Sequence, residues 1–139
     1  MAAADSCFLA SRNGAALAYV IALPWQSAHP IALDSPSCTV PESTDCMYIH
    51  DMAVCASARG SGVGRRLLSM VQAATDARSL SRQCLVAVHG AAAFWERHGF
   101  RRLEGNARIA AFLAPYGSEA VYMERLVPSA KGRVHSDML

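Results

Sequence analysis

Arg59-Gly60-Ser61-Gly62-Val63-Gly64 lies where one periodicity gives way to another. Upstream, Cys46 to Val54 alternates, with Tyr48, His50, Met52 and Val54 on one parity and Met47, Ile49, Asp51 and Ala53 on the other, which predicts a strand. Downstream, Val63, Leu67, Met70, Val71 and Ala74 recur at three and four residues, which predicts an amphipathic helix fading near Arg78-Ser79. Glycines between the two let the backbone turn tightly and present N–H groups at a helix N-terminus, where the dipole favours an anion. The turn therefore suits a phosphate. Two familiar nucleotide loops are excluded. A Walker loop ends in Gly-Lys-Ser/Thr, but Gly64 is followed by Arg65-Arg66-Leu67, and a dinucleotide fingerprint needs a third glycine where Leu67 stands.

Beyond the helix, Cys84 to Val88 is a short, apolar, partly β-branched run that suits a buried strand parallel to the one before the helix. Gly90 to His98 is Ala-rich and helical, with Gly99 placed as its C-terminal cap. Phe100 to Leu103 and Ala120 to Leu126 read as two more strands around a loop, residues 104–119. Toward the N-terminus, Cys7 to Ala10 and Ala15 to Leu23 flank Arg12-Asn13-Gly14, and Asn-Gly supplies the positive φ angles of a tight hairpin. Pro24 is expected to end the second strand, and residues 24–45, with four prolines, form a long irregular loop. The expected fold is α+β, a mixed sheet in the order β-β-β-α-β-α-β-β, with residues 1–127 as one domain and 128–139 as a C-terminal tail.

The length, 139 residues, excludes two cores of similar size. Although 53% of residues are hydrophobic, 26 of them are Ala, so the larger apolar types supply one core of ordinary extent. Mean hydropathy of +0.17 and 17% charged residues argue against disorder over most of the chain. The net charge of +2 conceals a division. Residues 1–54 hold five acids and one base, whereas residues 55–139 hold six acids and twelve bases, eleven of them Arg. Such a split fits an anionic ligand on the second part and a cationic group met by the first. With one Lys and no recognition-helix or RNA-sheet motif, nucleic acid is not an expected partner. Five cysteines without a C-x-x-C pair give neither a disulfide framework nor a zinc site, and the five His show no metal-ligand spacing, so no metal is expected. Without a secretory start or an apolar run long enough to span a bilayer, no membrane is expected either, and the location expected is cytoplasmic.

Arg59, Gly62 and Gly64 match the pattern Arg/Gln-x-x-Gly-x-Gly/Ala of an acyl-CoA pyrophosphate loop. With the strand "CMYIHDMAV" before it, "CLVAV" after the helix and the later "FWERHGF", the stretch from about Cys46 to Leu126 resembles the GCN5-related N-acetyltransferase (GNAT) superfamily. The resemblance implies an N-acetyltransferase with acetyl-CoA as co-substrate and a primary amine of a small molecule or protein as acceptor, transferring directly in a ternary complex. It places Met52, Ala53 and Val54 along the pantetheine arm, Arg59, Gly60, Ser61, Gly62, Val63 and Gly64 around the pyrophosphate, and Phe94 against the cofactor.

For the proton taken from the amine, the resemblance points to His50, four residues before Val54 on the strand, with Asp51 in its place if a bulge shifts the parity. Asp51 also suits the attraction of a cationic acceptor. The chain departs from the family pattern at Trp95, where many members carry a Tyr near the CoA sulfur. An indole N–H is a poor acid, so Tyr116, Tyr48, His89 or water is left to protonate the thiolate. An acyl-CoA-binding module with little or no transferase activity is the competing reading. His98 is expected at a helix C-terminus, where positive charge is favoured, without a catalytic role. Six residues stand before the first strand, where the family usually has a strand and two helices. Either the start is truncated or misassigned, or the 24–45 loop or a second subunit, as in a homodimer, covers the ground.

Overall fold

Asn13 and Gly14 take φ of +52° and +80°, the paired left-handed turn that matches strand twist, and they close a hairpin between β1 (Cys7–Arg12) and β2 (Ala15–Trp25). The computed structural model describes residues 6–26, 43–88, 90–103, 107–114, 117 and 119–127. Within them β2 pairs antiparallel with β3 (Cys46–Val54), which pairs in parallel with β4 (Arg82–Ala87) across the helix α1 (Val63–Ala77). A short helix α2 (Ala92–Arg97) leads to the two-residue strand β5 (Arg101–Arg102), then a helix α3 (Ala107–Leu113) and β6 (Val121–Leu126). The strand order across the sheet is β1-β2-β3-β4-β6-β5. This is the mixed α+β sheet expected from the sequence, with α3 added inside the stretch read as a loop.

Side chains of the sheet divide by parity into two cores. On one face Leu67 and Val71 of α1 and Ala92 and Trp95 of α2 pack on Val20, Met47, Ile49, Leu85 and Met123. On the other, Ile109 and Leu113 of α3 meet Leu23, Cys46, Tyr48, Cys84 and Tyr122. Buried polar groups tie α1 to the sheet: the Thr75 hydroxyl donates to the Val71 carbonyl at 2.7 Å and accepts from Gln83 Nε2 at 3.1 Å. Pro24, expected to end β2, is a fully buried member of it opposite Met47. Among the described residues β1 starts at Cys7, opposite Ile21, and no described strand pairs with the far edge of β2 at Pro24, where a proline is tolerated.

Two irregularities separate β3 from its parallel neighbour. Ile21 pairs with Asp51 and Ala22 with Ile49, so His50 is an extra residue in the ladder. Pairing of β3 with β4 covers Met47, Tyr48 and Ile49, opposite Gln83, Cys84 and Leu85, and goes no further. From there β3 follows β2 as far as Val54, while β4 follows β6 as far as Ala87, and the two middle strands part. Bulges bend the strand that holds them and end local pairing. Residues 27–42 of the expected loop and the expected tail 128–139 lie outside the described residues, as does His89. Among the described residues no helix is long and apolar enough to cross a membrane.

Candidate active site

A cleft of about 840 Å³ opens where β3 leaves β4. Its walls are Met52, Ala53 and Val54 from the end of β3, Arg59 to Gly62 and Gly64 from the glycine turn, and Phe94 and His98 from α2 and its C-terminal end. Every residue that the sequence placed around an acyl donor is among them except Val63, whose half-buried side chain packs on the core as the first apolar position of α1.

The turn is built locally. After β3 a 3-10 turn, Ala56–Ala58, reverses the chain, and Arg59 Nε donates to the Val54 carbonyl at 3.3 Å. Gly60 and Gly62 take φ of +81° and +88°, conformations that an L side chain rarely adopts, while no atom would obstruct a Cβ at either. Their requirement is conformational. Gly64 is different: its φ is not left-handed, and a Cβ there would be in ordinary contact with Met52 Cε at 3.4 Å and Val54 Cγ2 at 3.7 Å, so the start of α1 lies directly on the end of β3. The N-cap of α1 is Gly62, which has no side chain to cap with, and its first turn holds no acidic residue. Ser61 Oγ accepts from the Val63 N–H at 3.4 Å, and the first turn brings no carboxylate of its own to offset the helix dipole beside the cleft, which suits pyrophosphate oxygens.

Cations gather at the same end. Arg65 joins the cleft wall, and His98 sits at the C-cap of α2 as expected, its ring 4.7 Å from that of Phe94. The helix end does not set its charge. Burial first, then Arg65, Arg97 and Arg125, push its pKa below the ordinary histidine value. Phe94 serves two neighbours, lining the cleft and meeting Trp95 edge-on at 5.0 Å. Trp95, 9% exposed, packs edge-on against Phe100 at 5.4 Å, so both are core residues.

His50 and Asp51 are exposed on β3, just past the point where pairing with β4 ends. The extra residue at His50 keeps Met52 and Val54 in phase with the α1 face, and Asp51 accepts a hydrogen bond of 2.8 Å from the Tyr19 hydroxyl on β2. That bond and the carboxylate charge raise the Tyr19 pKa. Tyr48 is buried, its ring centroid 6.2 Å from that of His50. Tyr116 lies outside the described residues. Tyr19 was missed by sequence reasoning, because its meeting with Asp51 depends on the β2–β3 register, which no local pattern reveals.

The fold is shared with solved structures. PH1933 from Pyrococcus horikoshii OT3 aligns with a TM-score of 0.63 and 19% identity, over 90% of this chain and 67% of that one. N-acetylglutamate synthase from Neisseria gonorrhoeae, complexed with coenzyme A and N-acetyl-glutamate, aligns at 0.64 and 16% identity, over 88% of this chain and 26% of that one. The ribosomal-protein-S18-alanine N-acetyltransferase from Escherichia coli aligns at 0.57 and 18% identity, over 87% and 68%. At these identities the likeness is one of fold, and this chain spans about two thirds of two of them and about a quarter of the synthase. No curated protein sequence matches it. Residues 1–100, which contain the hairpin, the glycine turn, α1 and α2, match the model of the acetyltransferase (GNAT) family, and the chain belongs to that family.

Proposed function

We propose that the chain transfers an acetyl group from acetyl-CoA to a primary amine of a small molecule or protein, directly and in a ternary complex. The observation that carries this reading is the cleft past the end of β3–β4 pairing, walled by Met52 to Val54, the glycine turn at the start of α1, and Phe94 and His98 of α2 and its C-terminal end. The coenzyme A named with the Neisseria synthase is consistent with it. As substrate, acetyl-CoA would lay its pyrophosphate on the Gly60 to Gly64 turn and its arm along Met52 to Val54, with the thioester toward the inner end near Ile49.

An alkyl ammonium has a pKa near ~10.4, so the acceptor must lose a proton before it attacks. His50, or Asp51 in its place now that the extra residue at His50 shifts the parity, takes that proton, directly or through water, and Asp51, held by Tyr19, draws the cationic acceptor in. The amine nitrogen bonds to the thioester carbonyl carbon, the carbon–sulfur bond breaks, and the thiolate leaves with a proton from Tyr116 or water. Backbone N–H groups of β3, released from pairing with β4 past Ile49, stabilise the oxyanion.

One observation favours an acyl-CoA-binding module without turnover: Trp95, standing where a catalytic Tyr is common, is a core residue and offers the thiolate no hydroxyl. Calorimetric titration with acetyl-CoA, followed by thiol release across a panel of amines, separates the readings. Binding with turnover on at least one amine is expected. Binding without turnover on any amine favours the module, and absence of binding overturns both. Gly62→Asp, which puts a carboxylate and a Cβ at φ +88° in the turn, is expected to abolish acetyl-CoA binding; normal binding would remove the turn from the site.

A further inference from the structure

Arg65 and His98 belong to two cavities at once. Besides the cleft, they line a second space of about 330 Å³ between α1, the start of β4, the end of α2 and β6, together with Gln72, Gln83, Phe100 and Arg125. Among the described residues no Asp or Glu lines either cavity. Of the acids nearest in sequence, Glu96 pairs with Arg102 at 3.4 Å and Glu124 with Arg82 at 3.2 Å, while Asp76, outside the lining, accepts from Gln72 Nε2 at 3.2 Å.

The cations are not equivalent. Arg125 is held from three sides: Nη1 donates to the His98 carbonyl at 3.3 Å, Nη2 donates to Gln72 Oε1, and the guanidinium stands 5.8 Å from the Phe100 ring centroid. Gly99, at φ +91°, lies against this side chain: a Cβ there would stand 3.1 Å from Arg125 Cδ and press on it. Arg65, by contrast, has no hydrogen bond or ion pair among the described residues. Arg66, its neighbour on the same helical turn, lines neither cavity. A fixed arginine, an unengaged arginine and an imidazole thus face a cavity, part apolar through Leu68 and Phe100, that holds no carboxylate among its described walls. Like charges crowd together at a cost, which an incoming anion removes.

The second cavity continues past Arg65 from the turn assigned to a pyrophosphate. Coenzyme A carries one further anion beyond its pyrophosphate, a phosphomonoester on the ribose 3′ carbon, one sugar away and close to doubly charged at neutral pH. We propose that Arg65, with His98 and the fixed Arg125 behind it, forms a phosphomonoester subsite that reads this 3′-phosphate, so that the protein selects coenzyme A over its 3′-dephospho form. The proposal rests on the reading of the cleft as an acyl-CoA site. The two Arg are suited to the task, since a guanidinium presents paired N–H donors to phosphate oxygens.

The test is calorimetric titration of the whole chain and of Arg65→Ala, Arg65→Lys and Arg66→Ala with coenzyme A, 3′-dephospho-coenzyme A, 3′,5′-ADP and 5′-ADP. Wild type is expected to prefer the 3′-phosphorylated member of each pair by about tenfold or more, as one charge-assisted contact supplies. Arg65→Ala should bring both ratios close to one, Arg65→Lys should keep part of the preference, and Arg66→Ala should leave it intact. Arg65 is exposed, so its truncation is compatible with folding, and thermal melts check this. Equal affinity of wild type for the two coenzymes overturns the subsite and leaves the cleft standing. An Arg65→Ala that weakens both members equally also overturns it, by assigning Arg65 to the pyrophosphate or the general field. If neither coenzyme binds, the cleft reading falls and takes the subsite with it.

Discussion

At His98 two effects of opposite sign meet. A helix C-terminus favours a positive imidazolium by about 0.3–1 kcal/mol, yet burial and the guanidinium groups of Arg65, Arg97 and Arg125 leave its pKa below the ordinary 6.5. The unfolded chain therefore binds this proton more readily than the folded one. Stability from this group is present above pH 6.5 and is lost as pH falls from there through the folded pKa. An NMR titration of the imidazole should give a midpoint below 6.5, and His98→Gln should flatten the acid side of the melting profile; a midpoint above 6.5 would show that the helix end prevails. Tyr19 offers a second test, because its hydroxyl fixes the Asp51 carboxylate at 2.8 Å on an exposed face. Removing one such bond costs about 0.5–1.5 kcal/mol. Tyr19→Phe is thus expected to raise KM for the amine by roughly two- to tenfold, with acetyl-CoA affinity unchanged. An unaltered KM would take Asp51 out of acceptor binding.

The extra residue in β3 is the element on which the cleft depends. Pairing with β4 stops at Ile49, immediately before His50, and the wall residues Met52 to Val54 come after it. Without His50 the ladder would run Ile49 opposite Ala22 and Asp51 opposite Ile21 in unbroken alternation, with Met52 and Val54 still facing α1. Deletion of His50 should therefore give a folded protein in which β3 and β4 pair further and the cleft narrows. Acetyl-CoA affinity is expected to fall about tenfold or more below that of His50→Ala, which removes the side chain alone. Equal affinities would show that the bulge has no part in opening the cleft. The sequence carried the kind of irregularity but not its place: alternation from Cys46 to Val54 can be read through His50 on either parity until the β2 register is known. The hairpin at Asn13-Gly14 and the glycine turn were legible because each is fixed by φ angles that few residues allow. The helix α3 was not, since seven residues, Ala107–Leu113, make too few turns for a helical period to stand out, and its Ile109 and Leu113 gain their meaning from Tyr122 and Leu23, distant in sequence.

Across the protein the charge division acquires a location. The basic part of the chain supplies Arg59 and Arg65 to the cleft and Arg125 to the adjoining cavity, while Asp51, at the boundary of the acidic part, lies past the inner end of strand pairing. This much was legible from composition, because a sum of charges needs no register. What composition could not tell was that Arg59, Arg65 and Arg125 meet around the start of α1 and the end of α2, while elsewhere on the β1–β2 edge Leu9 and Ile21 stand 66% and 39% exposed. A polyanion approaching the cationic side meets charges in contact with solvent, and their attraction is screened within a Debye length of about 10 Å at 0.1 M salt. Acetyl-CoA affinity should therefore weaken steadily as sodium chloride rises from about 0.05 to 0.5 M, by roughly tenfold, and the association rate should account for much of the change. The slope of log affinity against log salt should be smaller in Arg65→Ala, which removes a cation shared by both cavities, than in Arg66→Ala, which removes one facing neither. A salt-independent affinity would mean that the ligand is held by the backbone of the turn and by apolar contact with Phe94 and Met52, and that the arginines of the second part serve the surface alone.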